Sequence, residues 1–149
     1  MKLQIKIKEV THDELVNMFS TATYGSNWLV IRKPKGSYKG TVLEDENDCA
    51  EDTWAKVLLN GGTIYCYDNY AEDEEEFYGN LPHKFTDYGM RYELTLKDLI
   101  KGLECAANKG CEYDIKCFND WRTEANDFDF SEADNLMQCV LFGGEAIYG

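Results

Sequence analysis

A chain of 149 residues, 44% hydrophobic and 13% aromatic, has the material for one ordinary domain with its own core, which excludes a disordered acidic tail. Its net charge of −13 excludes nonspecific attraction to nucleic acid or to an anionic membrane, because both polyanions repel it. Six cysteines without a Cys-x-x-Cys pair, an amino terminus unlike a leader, and no apolar run near about 20 residues point to a reduced cytoplasmic protein with no membrane span.

Residues 3–8 alternate Leu and Ile with polar neighbours, which predicts a strand with one wet face. Thr11-x-x-Glu14 is a capping box, and Leu15, Met18 and Phe19 give helical spacing over 12–20. Tyr24-Gly25 marks a turn, Trp28 to Ile31 a short strand, and Pro34 to Gly40 a basic loop. Asp48 is placed to cap a helix over 49–60 that turns Trp54, Val57 and Leu58 inward and stops at Gly61. Thr63 to Tyr67 predict a strand. The acidic run that follows, with Gly79-Asn80-Leu81-Pro82, predicts a long loop, and Arg91 to Leu94 predict another strand. Thr95 caps a helix over 96–109 carrying Leu96, Leu99, Ile100 and Leu103, and Gly110 ends it. Ile115, Phe118 and Trp121 predict a further helix over 112–122. Ser131 caps a last helix, 132–142, Gly143-Gly144 stop it, and Ala146 to Tyr148 read as a terminal strand.

The expected architecture is a single α+β domain over 1–149: a small mixed or antiparallel sheet with about four to five helices packed mainly on one face. Val57 to Tyr65 align without gaps on Val140 to Tyr148, with five of nine positions identical. Either a helix-turn-strand unit is repeated, or both stretches obey the common rules of helix ends.

Charge is unevenly placed. Residues 1–40 hold seven Lys/Arg against three Asp/Glu, and residues 41–149 hold eight against 25. Three segments concentrate the acids: Glu44, Asp45, Glu46, Asp48, Glu51 and Asp52; Asp68, Glu72, Asp73, Glu74, Glu75 and Glu76; Glu124, Asp127, Asp129, Glu132 and Asp134. None contains a Lys or Arg. Carboxylates spaced i, i+2 on a strand lie about 7 Å apart, near the spacing of phosphates on one nucleic-acid strand. Tyr70, Phe77 and Tyr78 beside the second segment could stack on guanidinium groups as interface anchors do. Such segments either keep a protein soluble or meet a basic partner.

Other chemistries find less footing. Asp127-x-Asp129-x-Ser131 begins like a calcium loop, but the sixth position is Glu132 instead of Gly and the twelfth is Gln138 instead of Glu. Cys105, Cys111 and Cys117 lack zinc-ligand spacing and read as small buried thiols. His12 and His83 stand in no nucleophile pattern, and the glycine pairs follow helices, whereas phosphate loops precede them. No cofactor, metal or catalytic residue is expected.

Taken in order, Tyr24-Gly25-Ser26-Asn27-Trp28-Leu29, Leu58-Leu59-Asn60-Gly61-Gly62, Asp68 to Glu75, Tyr78-Gly79-Asn80-Leu81-Pro82-His83, Thr95 to Leu103 and Ile147-Tyr148-Gly149 resemble a family of small acidic proteins carried by prophages and conjugative elements of Gram-positive gut bacteria. The resemblance implies no catalytic residues. It implies a context, since mobile elements commonly carry small acidic proteins that block host restriction or CRISPR nucleases.

The expected function is therefore a non-enzymatic acidic interaction protein in the cytoplasm of a bacterial host. It would inhibit a nucleic-acid-binding enzyme of the anti-CRISPR or anti-restriction target class through a nucleic-acid-mimicking carboxylate surface. The expected partner is a basic protein surface on a nuclease or nucleoprotein, with no direct nucleic acid and no membrane. The alternative is a structural or regulatory accessory protein that binds a small ligand or self-associates, its basic Arg32 to Lys39 stretch meeting the acidic surface of another copy.

Overall fold

The computed structural model describes residues 4–33 and 50–148. In chain order the elements are α1 (His12–Gly25), β1 (Leu29–Arg32), α2 (Ala50–Leu59), β2 (Thr63–Asp68), β3 (His83–Thr86), β4 (Gly89–Thr95), α3 (Leu96–Lys109), α4 (Glu112–Arg122) and α5 (Phe130–Leu141). The strands form one antiparallel sheet in the order β1-β2-β4-β3. Side chains alternate across it as the period of two requires. Leu29, Ile31, Ile64, Cys66, Met90, Tyr92 and Leu94 point to one face and are buried beneath the helices. Val30, Arg32, Tyr65, Tyr67, Arg91 and Glu93 occupy the other face and stay half-buried or exposed. The α+β class, with helices on one side of an antiparallel sheet, is as the sequence predicted.

The helices are organised around α5, which touches α1, α3 and α4 and buries Ala133, Leu136, Met137, Val140 and Leu141. α3 crosses it at Gly102, where a Cβ would lie 2.7 Å from Val140 Cα, so only a glycine lets the two backbones approach this closely. The capping box of α1 is present in both directions: Glu14 N donates to Thr11 Oγ1 at 3.2 Å and Thr11 N donates to Glu14 Oε1 at 2.9 Å. Thr95 caps α3 by accepting from Asp98 N.

Several sequence expectations need correction. Residues 4–8 form no strand. Their backbone runs along α3, where Ile5 N donates to Asn108 Oδ1 at 2.7 Å and Ile7 N donates to Glu104 Oε2 at 3.0 Å. Helix side chains do here what a neighbouring strand would do. Tyr24-Gly25 is not a turn but the last turn of α1, and Phe130 packs against Gly25. Strand β3 went unpredicted; a two-residue connection, Asp87-Tyr88, joins it to β4, with Gly89 at φ 106°. α5 begins two residues before the predicted 132, because Asp129 and not Ser131 caps it, accepting from Glu132 N at 3.1 Å. A carboxylate there satisfies the amide and also meets the positive end of the helix dipole. The Pro34 to Gly40 loop and the Asp48 cap lie outside the described residues.

Ala146 to Tyr148 also form no strand. Gln138 on α5 holds them, its Oε1 accepting from Ile147 N at 2.8 Å and from Tyr148 N at 2.7 Å, its Nε2 donating to Tyr148 O at 3.1 Å. One side-chain amide thus stands in for a strand partner. This also resolves the internal similarity. Gly62 N donates to Val57 O and Gly144 N to Cys139 O, both at 2.8 Å, so both helices end in the same six-to-one cap. Structurally Gly61 matches Gly143, one residue away from the sequence alignment, and only the first stretch continues into a strand. The likeness is of two helix caps.

Candidate functional site

The densest acidic segment begins where β2 ends. Asp68 falls on the inward side of that strand and is fully buried. Its Oδ1 accepts from Tyr70 N at 2.9 Å and its Oδ2 from the Tyr148 hydroxyl at 2.6 Å. Burial pushes its carboxyl above the usual range, with Glu76 adding to the rise, while the bonds from Tyr148 and Tyr70 pull it back. Asp68 is therefore the root of the loop and not part of its surface.

Aromatic rings pin the loop on either side of the acids. The Tyr70 ring stands edge-on to Tyr148 at 5.2 Å. Tyr78 packs edge-on against Phe142 at 5.3 Å, and its N donates to the Tyr92 hydroxyl at 3.0 Å. Phe77 stacks on His83 at 3.9 Å. Trp28 closes the nest, 5.4 Å from Phe142 and 5.7 Å from Tyr148. At Gly79 a Cβ would sit 2.8 Å from the backbone of Phe142 and Gly143, so the loop returns directly over the carboxyl end of α5.

Between these tethers Glu72, Asp73, Glu74 and Glu75 are exposed and Glu76 is half-buried. Asp73 shapes the turn, its Oδ1 accepting from Glu75 N at 2.9 Å and its carbonyl from Glu76 N at 3.2 Å. Among the described residues no cation pairs with any carboxylate of 72–76. The rigid aromatic base holds together a cluster that its own repulsion would scatter.

Most of the described carboxylates in the other two segments are spent differently. Glu44, Asp45, Glu46 and Asp48 lie outside the described residues. Glu51 is buried at the start of α2, and Asp52 is half-buried with its Oδ1 3.2 Å from His12 Nε2. Glu132 is buried and accepts from Lys116 Nζ at 3.0 Å; the same ammonium donates to Asp120 Oδ2 at 2.6 Å. Burial pushes the Glu132 carboxyl up, and the bond from Lys116 holds Asp120 down. Asp134 is half-buried and accepts from Trp28 Nε1 at 2.7 Å and Gln138 Nε2 at 3.3 Å. Asp127 and Asp129 are exposed, the latter occupied with capping. They sit at the amino end of α5, whereas loop 69–82 is tethered at its carboxyl end. A helix of 12 residues separates the two ends by about 18 Å. The second and third segments therefore do not merge.

Comparison with known protein families, curated proteins and solved structures finds no match. What the site can do follows from its chemistry. Four exposed, unpaired carboxylates on a fixed base can accept charge-assisted hydrogen bonds from Arg and Lys, and exposed Tyr70 and Phe77 offer rings for guanidinium stacking. No described helix is long and apolar enough to cross a membrane.

Sequence reasoning missed the anchor, namely Trp28, Tyr92, Phe142 and Tyr148, because its members come from four distant places in the chain. It also missed the open sheet face, although the alternation Thr63-Ile64-Tyr65-Cys66-Tyr67 puts two rings on the wet side. There Val30, Arg32, Tyr67, Asn69 and Tyr88 line a groove of about 300 Å³.

Proposed function

We propose that this protein is a non-enzymatic interaction protein of a mobile element whose loop 69–78 occupies the basic nucleic-acid-binding groove of a host enzyme. It would inhibit that enzyme in the anti-CRISPR or anti-restriction manner, in the cytoplasm of the host. The observation that carries this reading is the exposure of Glu72 to Glu75 without a single cation partner among the described residues, on a loop whose flanking rings pack into the fold. Preorganisation matters because a partner then gains charge-assisted bonds without ordering the loop. Each such bond contributes about 1.5–3 kcal/mol. With the third segment some 18 Å away, the loop imitates a short run of phosphates and not an extended duplex face.

The test is inhibition of DNA cleavage by purified restriction and CRISPR nucleases at low ionic strength. Inhibition should be competitive with DNA and should weaken steeply with salt. Neutralising the loop with Glu72→Gln, Asp73→Asn, Glu74→Gln and Glu75→Gln should weaken binding at least about tenfold, the equivalent of 1.4 kcal/mol. Failure to bind any nuclease or nucleoprotein at low salt, or equal inhibition by the neutralised loop, would sink the proposal.

A further inference from the structure

The face of the sheet opposite the helices is covered by no described element, and its charge is opposite to that of the whole chain. Arg32 on β1, Lys84 on β3 and Arg91 on β4 share it with Glu93 alone among the acids of the strands. Neither Arg32 nor Lys84 has an ion-pair partner among the described residues. The Arg91 guanidinium lies 4.3 Å over the Tyr65 ring, and its buried Nε has no hydrogen-bond partner. Tyr67 and Tyr88 meet edge to face at 6.5 Å and form a corner of the 300 Å³ groove, with Tyr88 76% exposed.

This basic, aromatic face adjoins the acidic loop. Asn69 lines the groove and is also the first residue of the loop, and the turn at Gly89 rests on Asp68 and Asn69. The two patches together are self-complementary. We propose that a second copy of this chain occupies the face, the carboxylates 72–76 of each copy lying against Arg32, Lys84 and Tyr88 of the other. Because acid and base lie side by side, one two-fold axis satisfies both contacts at once, and the assembly closes as a dimer instead of growing into a chain. The same adjacency disfavours nucleic acid on this face, since the loop carboxylates beside the groove repel a polyanion. A second copy turns that repulsion into attraction. The contact uses the same carboxylates as the inhibitory reading, so dimer and inhibitory complex exclude each other at the loop, but sedimentation of the chain alone involves no host enzyme and tests the dimer by itself.

The experiment is sedimentation velocity of the full chain at low and high salt. Wild type should be a dimer at low salt. Its dissociation constant should rise at least about tenfold as the Debye length shrinks from about 10 Å at 0.1 M to about 3 Å at 1 M. A face-reversed variant, Arg32→Glu with Lys84→Glu, and a loop-reversed variant, Glu72→Lys with Glu74→Lys and Glu75→Lys, should each be monomeric. Mixed together they should dimerise again, since each then meets its opposite, and circular dichroism confirms that both are folded. Tyr88→Ala, at an exposed hairpin tip, should weaken the dimer and leave the fold intact. A wild-type monomer at low salt overturns the proposal. So does a dimer indifferent to salt and to both reversals, or a mixture of folded variants that stays monomeric. Binding of a labelled single-stranded oligonucleotide that is lost on face reversal, with no dimer present, would assign the face to nucleic acid and equally overturn it.

Discussion

Tyr148→Phe probes the root of the acidic loop, because it deletes one O–H donor and leaves the ring in its nest. The lost bond, 2.6 Å to Asp68 Oδ2, has the length of a charge-assisted O–H···O⁻ contact, and its acceptor is fully buried. A bond to a charged group contributes about 1.5–3 kcal/mol, and a chain of this size loses about 2–4 °C of Tm per kcal/mol, so Tm at neutral pH should fall by roughly 3–12 °C. The pH dependence carries the sharper information. Burial already holds the Asp68 carboxyl above its unfolded value, and Tyr148 opposes that rise. Removing the hydroxyl raises it further. A raised carboxyl favours the protonated fold, so the folding stability linked to that proton is present below the unfolded value and lost as pH climbs through the folded one. The deficit of Tyr148→Phe relative to wild type should therefore be small near about pH 4 and complete at neutral pH. Urea denaturation of both proteins at the two pH values measures it. In an Asp68→Asn background the Tyr148→Phe cost should shrink to a few tenths of a kcal/mol. An equal deficit at both pH values, or in the Asp68→Asn background, refutes the coupling.

Gly102→Ala should destabilise by about 1–3 kcal/mol in chemical denaturation although alanine is the better helix former by about 1 kcal/mol, because the new Cβ meets the α5 backbone. Gln138→Leu removes the bonds that hold residues 147 and 148. Hydrogen exchange at those two amides should then approach the unprotected rate, with a global loss of about 1–3 kcal/mol. Cys111, which the sequence placed among the buried thiols, is exposed and should react with an alkylating reagent in the native protein at neutral pH, while buried Cys66, Cys117 and Cys139 remain unmodified until denaturant is added. Burial pushes all three of those thiols up, that of Cys117 to about 12.

Elements whose cause is local were legible. α3 and α4 begin and end where Thr95, Gly110 and the Ile115, Phe118, Trp121 spacing placed them, because caps and helical periodicity act within a few residues. Elements whose backbone is satisfied from far away were not. The alternation at residues 3–8 has the period of a strand, but Glu104 and Asn108 of α3 take its amides. Ala146 to Tyr148 have strand composition, but Gln138 takes theirs. Neither partner is a strand, and alternation along the chain does not record whether a side chain, about a hundred residues away for the first segment and nine or ten for the second, will take the amides instead.

The acidic site divides along the same line. The sequence by itself determined that carboxylates cluster, since composition and neighbours suffice for that, and it determined the α+β class through alternating periods of two and 3.6. Tertiary structure decided which carboxylates are presented. Strand parity turned Asp68 inward, a lysine on α4 reached Glu132, a tryptophan near β1 reached Asp134, and Glu72 to Glu75 remained exposed and unpaired together on one loop. It also placed a basic aromatic face beside that loop, because the order β1-β2-β4-β3 brings Arg32, Tyr67, Arg91 and Lys84 onto adjacent strands. Burial and adjacency depend on contacts between residues far apart in the chain, and no pattern in the chain records them.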